Sequence, residues 1–170
     1  ISAAWHRLSA GDLTRARDIA ERLRGIGPAP HQRAEILMLL AETSGHLGRA
    51  LAHALAAAAL VRDDPRRSVW FQRRIAFLRV LTGDTAGALR EAQQTLELAK
   101  GVGDPRQLAQ AIAFVSAGEM ATGRITPGLL ERGLALEASL PDDAVRPLQY
   151  SSPSYVRYAR FVFLGQIDAA

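Results

Sequence analysis

The 170 residues are 48% apolar and 22% charged, a balance that supplies a continuous core and excludes a disordered tail. There is no cysteine, which excludes a disulfide framework and any thiolate metal site and, with no secretory segment in view, predicts a cytoplasmic protein. The formal charge is only +4, distributed as +3 over residues 1–62, +1 over 63–105 and zero over 106–170, so no part of the chain is a polybasic arm.

Alanine, leucine, arginine and glutamate dominate the composition and favour helix throughout. Breaker-rich linkers divide the chain into helix pairs, since proline cannot continue a helix and aspartate caps the next one. The first pair is predicted over about 1–25, closed by Gly25-Ile26-Gly27-Pro28-Ala29-Pro30. The second spans about 31–62 and stops at Asp63-Asp64-Pro65; its most apolar stretch, Leu51 to Val61, reads as a buried helix. That stretch falls short of the about 20 residues a bilayer span needs, so no membrane partner is expected. The third covers about 68–101 and ends at Gly103-Asp104-Pro105, and the fourth about 105–140, ending at Pro141-Asp142-Asp143. A fifth pair is expected from 148, with a second helix opening at Ile167 and cut at Ala170. The expectation is one all-α repeat domain of nine or ten helices over 1–170, a fragment of a larger protein.

An internal repeat runs through these pairs. A turn glycine is followed five residues later by a small residue in Gly11/Ala16, Gly45/Ala50, Gly83/Ala88, Gly123/Gly128 and Gly165/Ala170, the glycines lying 34, 38, 40 and 42 residues apart. An apolar residue two positions after the glycine recurs as Leu13, Leu47, Ile125 and Ile167, with Thr85 as the exception, and six positions after it come Leu51, Leu89 and Leu129. These offsets predict one apolar stripe on a helix starting just after each glycine, with the small residue letting two antiparallel helices approach closely.

The stretch Leu81-Thr-Gly-Asp-Thr-Ala-Gly-Ala-Leu-Arg-Glu-Ala, continuing to Leu98-Ala-Lys-Gly-Val-Gly-Asp-Pro105, resembles a tetratricopeptide repeat of the longer, roughly 40-residue kind, and Leu40 to Leu51 repeats it. The resemblance implies a right-handed superhelical solenoid of antiparallel hairpins with a concave binding groove. Arginine- and alanine-rich repeats ending in Gly-Asp-Pro, together with Tyr150-Ser-Ser-Pro-Ser-Tyr155, are also similar to the C-terminal half of large ATP-dependent LuxR-type transcription regulators, the maltose-regulator group among them. In such a protein the repeats receive an effector, and the ATPase and DNA-binding regions lie elsewhere in the chain. The sequence departs from the standard repeat where alanine or leucine replaces core aromatics and where Gly128 stands in place of alanine.

No P-loop, His-Glu-x-x-His or nucleophile elbow occurs, and Gly101-Val-Gly-Asp-Pro-Arg106 lacks the third glycine of a dinucleotide fingerprint. No enzymatic activity, cofactor or metal is expected. His46 and His53, two helical turns apart, read as ordinary histidines, and the Asp63-Asp64 and Asp142-Asp143 pairs as helix caps. The strongest local basic cluster is Arg66, Arg67, Arg73 and Arg74, interleaved with Trp70, Phe71 and Phe77. Trp70, Arg73 and Phe77 fall at i, i+3 and i+7 on one stripe, and the resemblance places that stripe in the groove. Trp70, Arg73, Arg74 and Phe77 are therefore the leading candidates for holding a protein or small-molecule effector, with packing between hairpins as the alternative for the aromatics. Tyr155 and Tyr158, beside Arg157 and Arg160, form a second set. The lysine–asparagine clamp of chaperone-binding modules is absent from the matching positions, where Arg73 and Phe77 stand. Direct nucleic-acid binding is not expected, and a homodimer through the cut end is a further possibility the repeat pattern raises. The functional expectation is a non-catalytic regulatory module of a LuxR-type regulator, with a signalling scaffold as the alternative.

Overall fold

A computed structural model describes residues 1–141 and 152–163, which form nine α-helices and no strand. These are α1 (Ser2–Ser9), α2 (Leu13–Arg24), α3 (Pro30–Glu42), α4 (Leu47–Ala59), α5 (Pro65–Leu81), α6 (Thr85–Val102), α7 (Pro105–Thr122), α8 (Leu129–Ala138) and α9 (Pro153–Phe163). The expected all-α class holds for these residues. The onset of a fifth pair at 148, its helix from Ile167, the Gly165/Ala170 pair and the Asp142-Asp143 cap lie outside the described residues. Among the described residues no helix is long and apolar enough to cross a membrane.

Most boundaries follow from capping chemistry. The first N–H groups of a helix have no carbonyl partner, and an aspartate before them supplies one. Asp64 Oδ1 accepts from Arg67 N at 3.1 Å, Asp84 Oδ1 from Gly87 N at 2.8 Å, and Asp104 Oδ1 from Arg106 N at 2.9 Å. Pro30, Pro65 and Pro105 each occupy the first turn, where no N–H is needed. Gly11, Gly83 and Gly123 adopt φ of +79°, +83° and +70°, the left-handed turn the repeat demands. Gly45 does not, because His46 follows in an extended conformation and caps α4 through its ring.

The chain divides into two compact units, Ile1–Gly83 and Asp84–Ala170. The predicted third pair is thereby shared out, α5 belonging to the first unit and α6 to the second. Within the first unit each helix packs on the next in chain order, from α1 to α5. Its core is built from small residues facing large ones: Ala34, Ala50, Ala54 and Ala57 pack with Met38, Phe71, Ile75 and Leu78. Alanine at these positions brings the helix axes close, so that few large side chains fill the gap. Within the second unit α7 packs on α6 and α8, and α9 lies against both α7 and α8. Gly133 permits that last approach, since a Cβ there would fall 2.7 Å from Ile112 Cγ2 and 3.1 Å from Pro153 Cγ.

The repeat pattern is read correctly at its alanines and incorrectly at the apolar residue two positions after the glycine, whereas Leu51, Leu89 and Leu129, six positions after it, are half-buried and Leu51 packs on the core. Ala16, Ala50 and Ala88 are buried, but Leu13, Leu47 and Ile125 are among the exposed apolar side chains. Leu13 and Leu47 are the first residues of their helices, where no preceding turn exists for the side chain to lie on. The fourth hairpin differs further: no helix starts after Gly123, and α8 begins only at Leu129, with Gly128 as its N-cap at φ +75°.

Candidate functional site

Helix α5 carries the leading candidates, and its placement on α3 sorts them. Arg67 Nη2 lies 3.9 Å from Glu35 Oε1, and two helical turns further along Arg74 faces Glu42. In that second pair Arg74 Nη2 donates to Oε2 while Nε lies against Oε1, the forked arrangement that matches guanidinium to carboxylate. Burial pushes the Glu42 carboxyl above its ordinary range, and the charge and hydrogen bond of Arg74 pull it back only in part. The Arg74 guanidinium also sits over the Phe77 ring, 4.8 Å from its centroid, which fixes the cation between an anion and an aromatic face.

Trp70 is occupied differently. It meets Trp5 of α1 edge-on at 5.5 Å and 74°, and Phe71 at 4.9 Å and 89°. Both tryptophans pack against the cluster containing the fully buried Met38, so Trp70 joins the first and fifth helices of its unit across the core. Edge-to-face contacts of this kind fix ring orientation as well as burying area. The packing alternative for Trp70 is the one the geometry favours.

Arg73 stands alone in the group. It is half-buried, and it makes no hydrogen bond or ion pair with any described residue. Burial, and secondarily the neighbouring positive charge of Arg74, lower its pKa to about 10. The stripe Trp70, Arg73, Phe77 therefore holds three different roles: a packed aromatic, an unpaired cation and an aromatic 36% exposed beneath Arg74.

Tyr155 and Tyr158 are 42% and 54% exposed on α9 and form a stripe with Val162 at i, i+3 and i+7, while Val156 points into the core. They belong to the second unit and the α5 group to the first. His46 spends its Nδ1 accepting from Arg49 N at 3.4 Å, and among the described residues no three His, Asp or Glu side chains gather as metal ligands would.

Two residues that matter here escape a reading of single motifs: Glu42, which neutralises Arg74, and Trp5, which clamps Trp70. Glu42 and Arg74 are 32 residues apart, as are Glu35 and Arg67. Acidic residues spaced by seven on one helix, matched by basic residues spaced by seven one repeat later, are the signal that finds these pairs. The arrangement as a whole offers charge recognition: a half-buried guanidinium without a partner among the described residues, on the same stripe as a partly exposed aromatic ring. No protein-family model matches the chain, and no curated protein is similar to it in sequence.

Proposed function

We propose that the chain is a non-catalytic, cytoplasmic binding module whose hairpins stack as a tetratricopeptide-like right-handed solenoid. We place it as the regulatory arm of a bacterial LuxR-type transcription regulator. The observation that carries the binding reading is Arg73. A half-buried guanidinium without an anion destabilises the free protein, and such groups are retained where a partner completes them. The effector presents a carboxylate or other anionic group to Arg73 and an apolar surface to Phe77. The regulator setting is supported by the resemblance of Leu81 to Ala92 and Leu98 to Pro105, and there effector capture is coupled to ATPase and DNA-binding regions of the same parent chain.

The test is inducible transcription from a parent regulator carrying Arg73→Met. Loss of induction with a retained helical spectrum is expected. Induction equal to wild type overturns the assignment of Arg73. A scaffolding role in a signalling assembly is favoured by a separate observation, the exposed stripe Tyr155, Tyr158 and Val162. Under that reading Tyr158→Ala removes a protein partner while Arg73→Met leaves it bound.

A further inference from the structure

The second unit contains a cavity of about 320 Å³ bounded by α7, the loop after it, α8 and α9. This is the lower end of the range for small-molecule sites, about 300–1,000 Å³. Its apolar lining comes from Met120, Ile125, Leu130 and Val156. Ile125, left exposed because no helix starts after Gly123, finds its place here.

Three polar features in the lining are unspent. Ser116 is only 8% exposed, and its hydroxyl has no hydrogen-bond partner, although a helical serine ordinarily returns its proton to the carbonyl four residues back. Arg160 and Glu131 line the same cavity, yet neither makes an ion pair or side-chain hydrogen bond with any described residue, including each other. Glu119, the remaining charged group, is already committed, accepting from both the backbone N and the hydroxyl of Thr126. Opposite charges on one apolar cavity, each unpaired, match a ligand that brings both charges itself.

We infer that this cavity binds a small zwitterion with an apolar side group, an apolar α-amino acid in chemical class. Its carboxylate meets Arg160, its ammonium meets Glu131, its side group lies on Leu130 and Val156, and the Ser116 hydroxyl donates to the one or accepts from the other. The assignment is independent of the anion site at Arg73 and adds a second kind of ligand to the chain.

The test is a titration of the full chain with L-leucine, followed through the methyl NMR signals of Ile125, Leu130 and Val156. Two further probes each lack one charge: L-leucinamide and 4-methylpentanoate. Saturable shifts with leucine are expected, with each single-charge probe binding at least about tenfold more weakly. Arg160→Gln should erase the preference for leucine over leucinamide, and Glu131→Gln the preference over 4-methylpentanoate. Ser116→Ala should weaken leucine binding without lowering the melting temperature, because the buried hydroxyl bonds nothing in the free protein. Arg73→Met should leave leucine binding as in wild type, so failure here and failure of the regulatory reading are separate results. Absence of saturable shifts overturns the inference. So does equal binding of all three probes, or undiminished leucine binding by folded Arg160→Gln protein.

Discussion

Replacing Arg73 by methionine should make the free protein more stable. The folded environment lowers the Arg73 pKa from its ordinary value to about 10, through burial first and the Arg74 charge second. At about 1.4 kcal/mol for each tenfold change in the ionisation constant, that lowering sets a ceiling of about 3 kcal/mol on the cost of holding the charge in the fold. The side chain is half-buried, so solvent screening and the packing of its methylenes reduce that to about 1–2 kcal/mol. Methionine keeps the length and apolar stem while removing the charge. The assay is urea unfolding followed by circular dichroism, with wild type and variant at the same pH. The sign with pH is fixed: below about pH 10 arginine is charged in both states and the full cost is present. Above about pH 10 the folded state releases its proton before the unfolded chain does, and the cost is progressively relieved. The stability gap should therefore be constant near neutrality and close above pH 10. A variant less stable than wild type by 1 kcal/mol or more, a loss of about fivefold in the folding constant, would refute the claim that Arg73 lacks a partner.

The neighbouring arginine should behave in the opposite way. Arg74→Met leaves Glu42 buried without its counter-ion and should cost about 1–3 kcal/mol at pH 7. Removing Arg74 raises the Glu42 carboxyl further, so the loss should shrink as pH falls through that pKa and largely vanish below 4.5, where the carboxyl is protonated in both states; equilibrium unfolding at pH 7 and pH 4 checks this. Trp70→Ala should cost about 3 kcal/mol by opening the contacts with Trp5 and Phe71, a loss that appears in chemical denaturation without any effector present. Gly133→Ala should lower stability by about 1–3 kcal/mol, because its Cβ would press on Ile112 and Pro153; thermal unfolding of the purified variant measures it.

What the sequence discloses here divides by range of interaction. Asp64-Pro65 and Asp104-Pro105 mark helix starts because capping is settled within three residues of chain; α7 begins at Pro105 as expected, while α5 begins at Pro65, three residues before the expected 68, because Asp64 caps it directly. Ala16, Ala50 and Ala88 are legible for the same reason, each being fixed in register by its turn. The fourth hairpin misleads because Gly123 and Gly128 mimic a repeat whose helix the loop after α7 does not form. Whether Trp70 lines a groove or closes a core depends on Trp5, sixty-five positions away, and no local pattern carries that choice.

Register and contact are different things on α5, and Arg73 shows it. Arg67 and Arg74 find their acids on α3 at one offset of 32 positions, Glu35 for the first and Glu42 for the second. The turn glycines Gly45 and Gly83 lie 38 positions apart, and that spacing sets Arg73 against Glu35, Trp70 against Gln32 and Phe77 against Leu39. Position 73 thus inherits a charged residue rather than a core one, yet the acid at the equivalent place on α3 already lies against Arg67. Arg73 is left half-buried without an acid of its own. Under the proposed binding role, the anion that meets it comes from outside the chain.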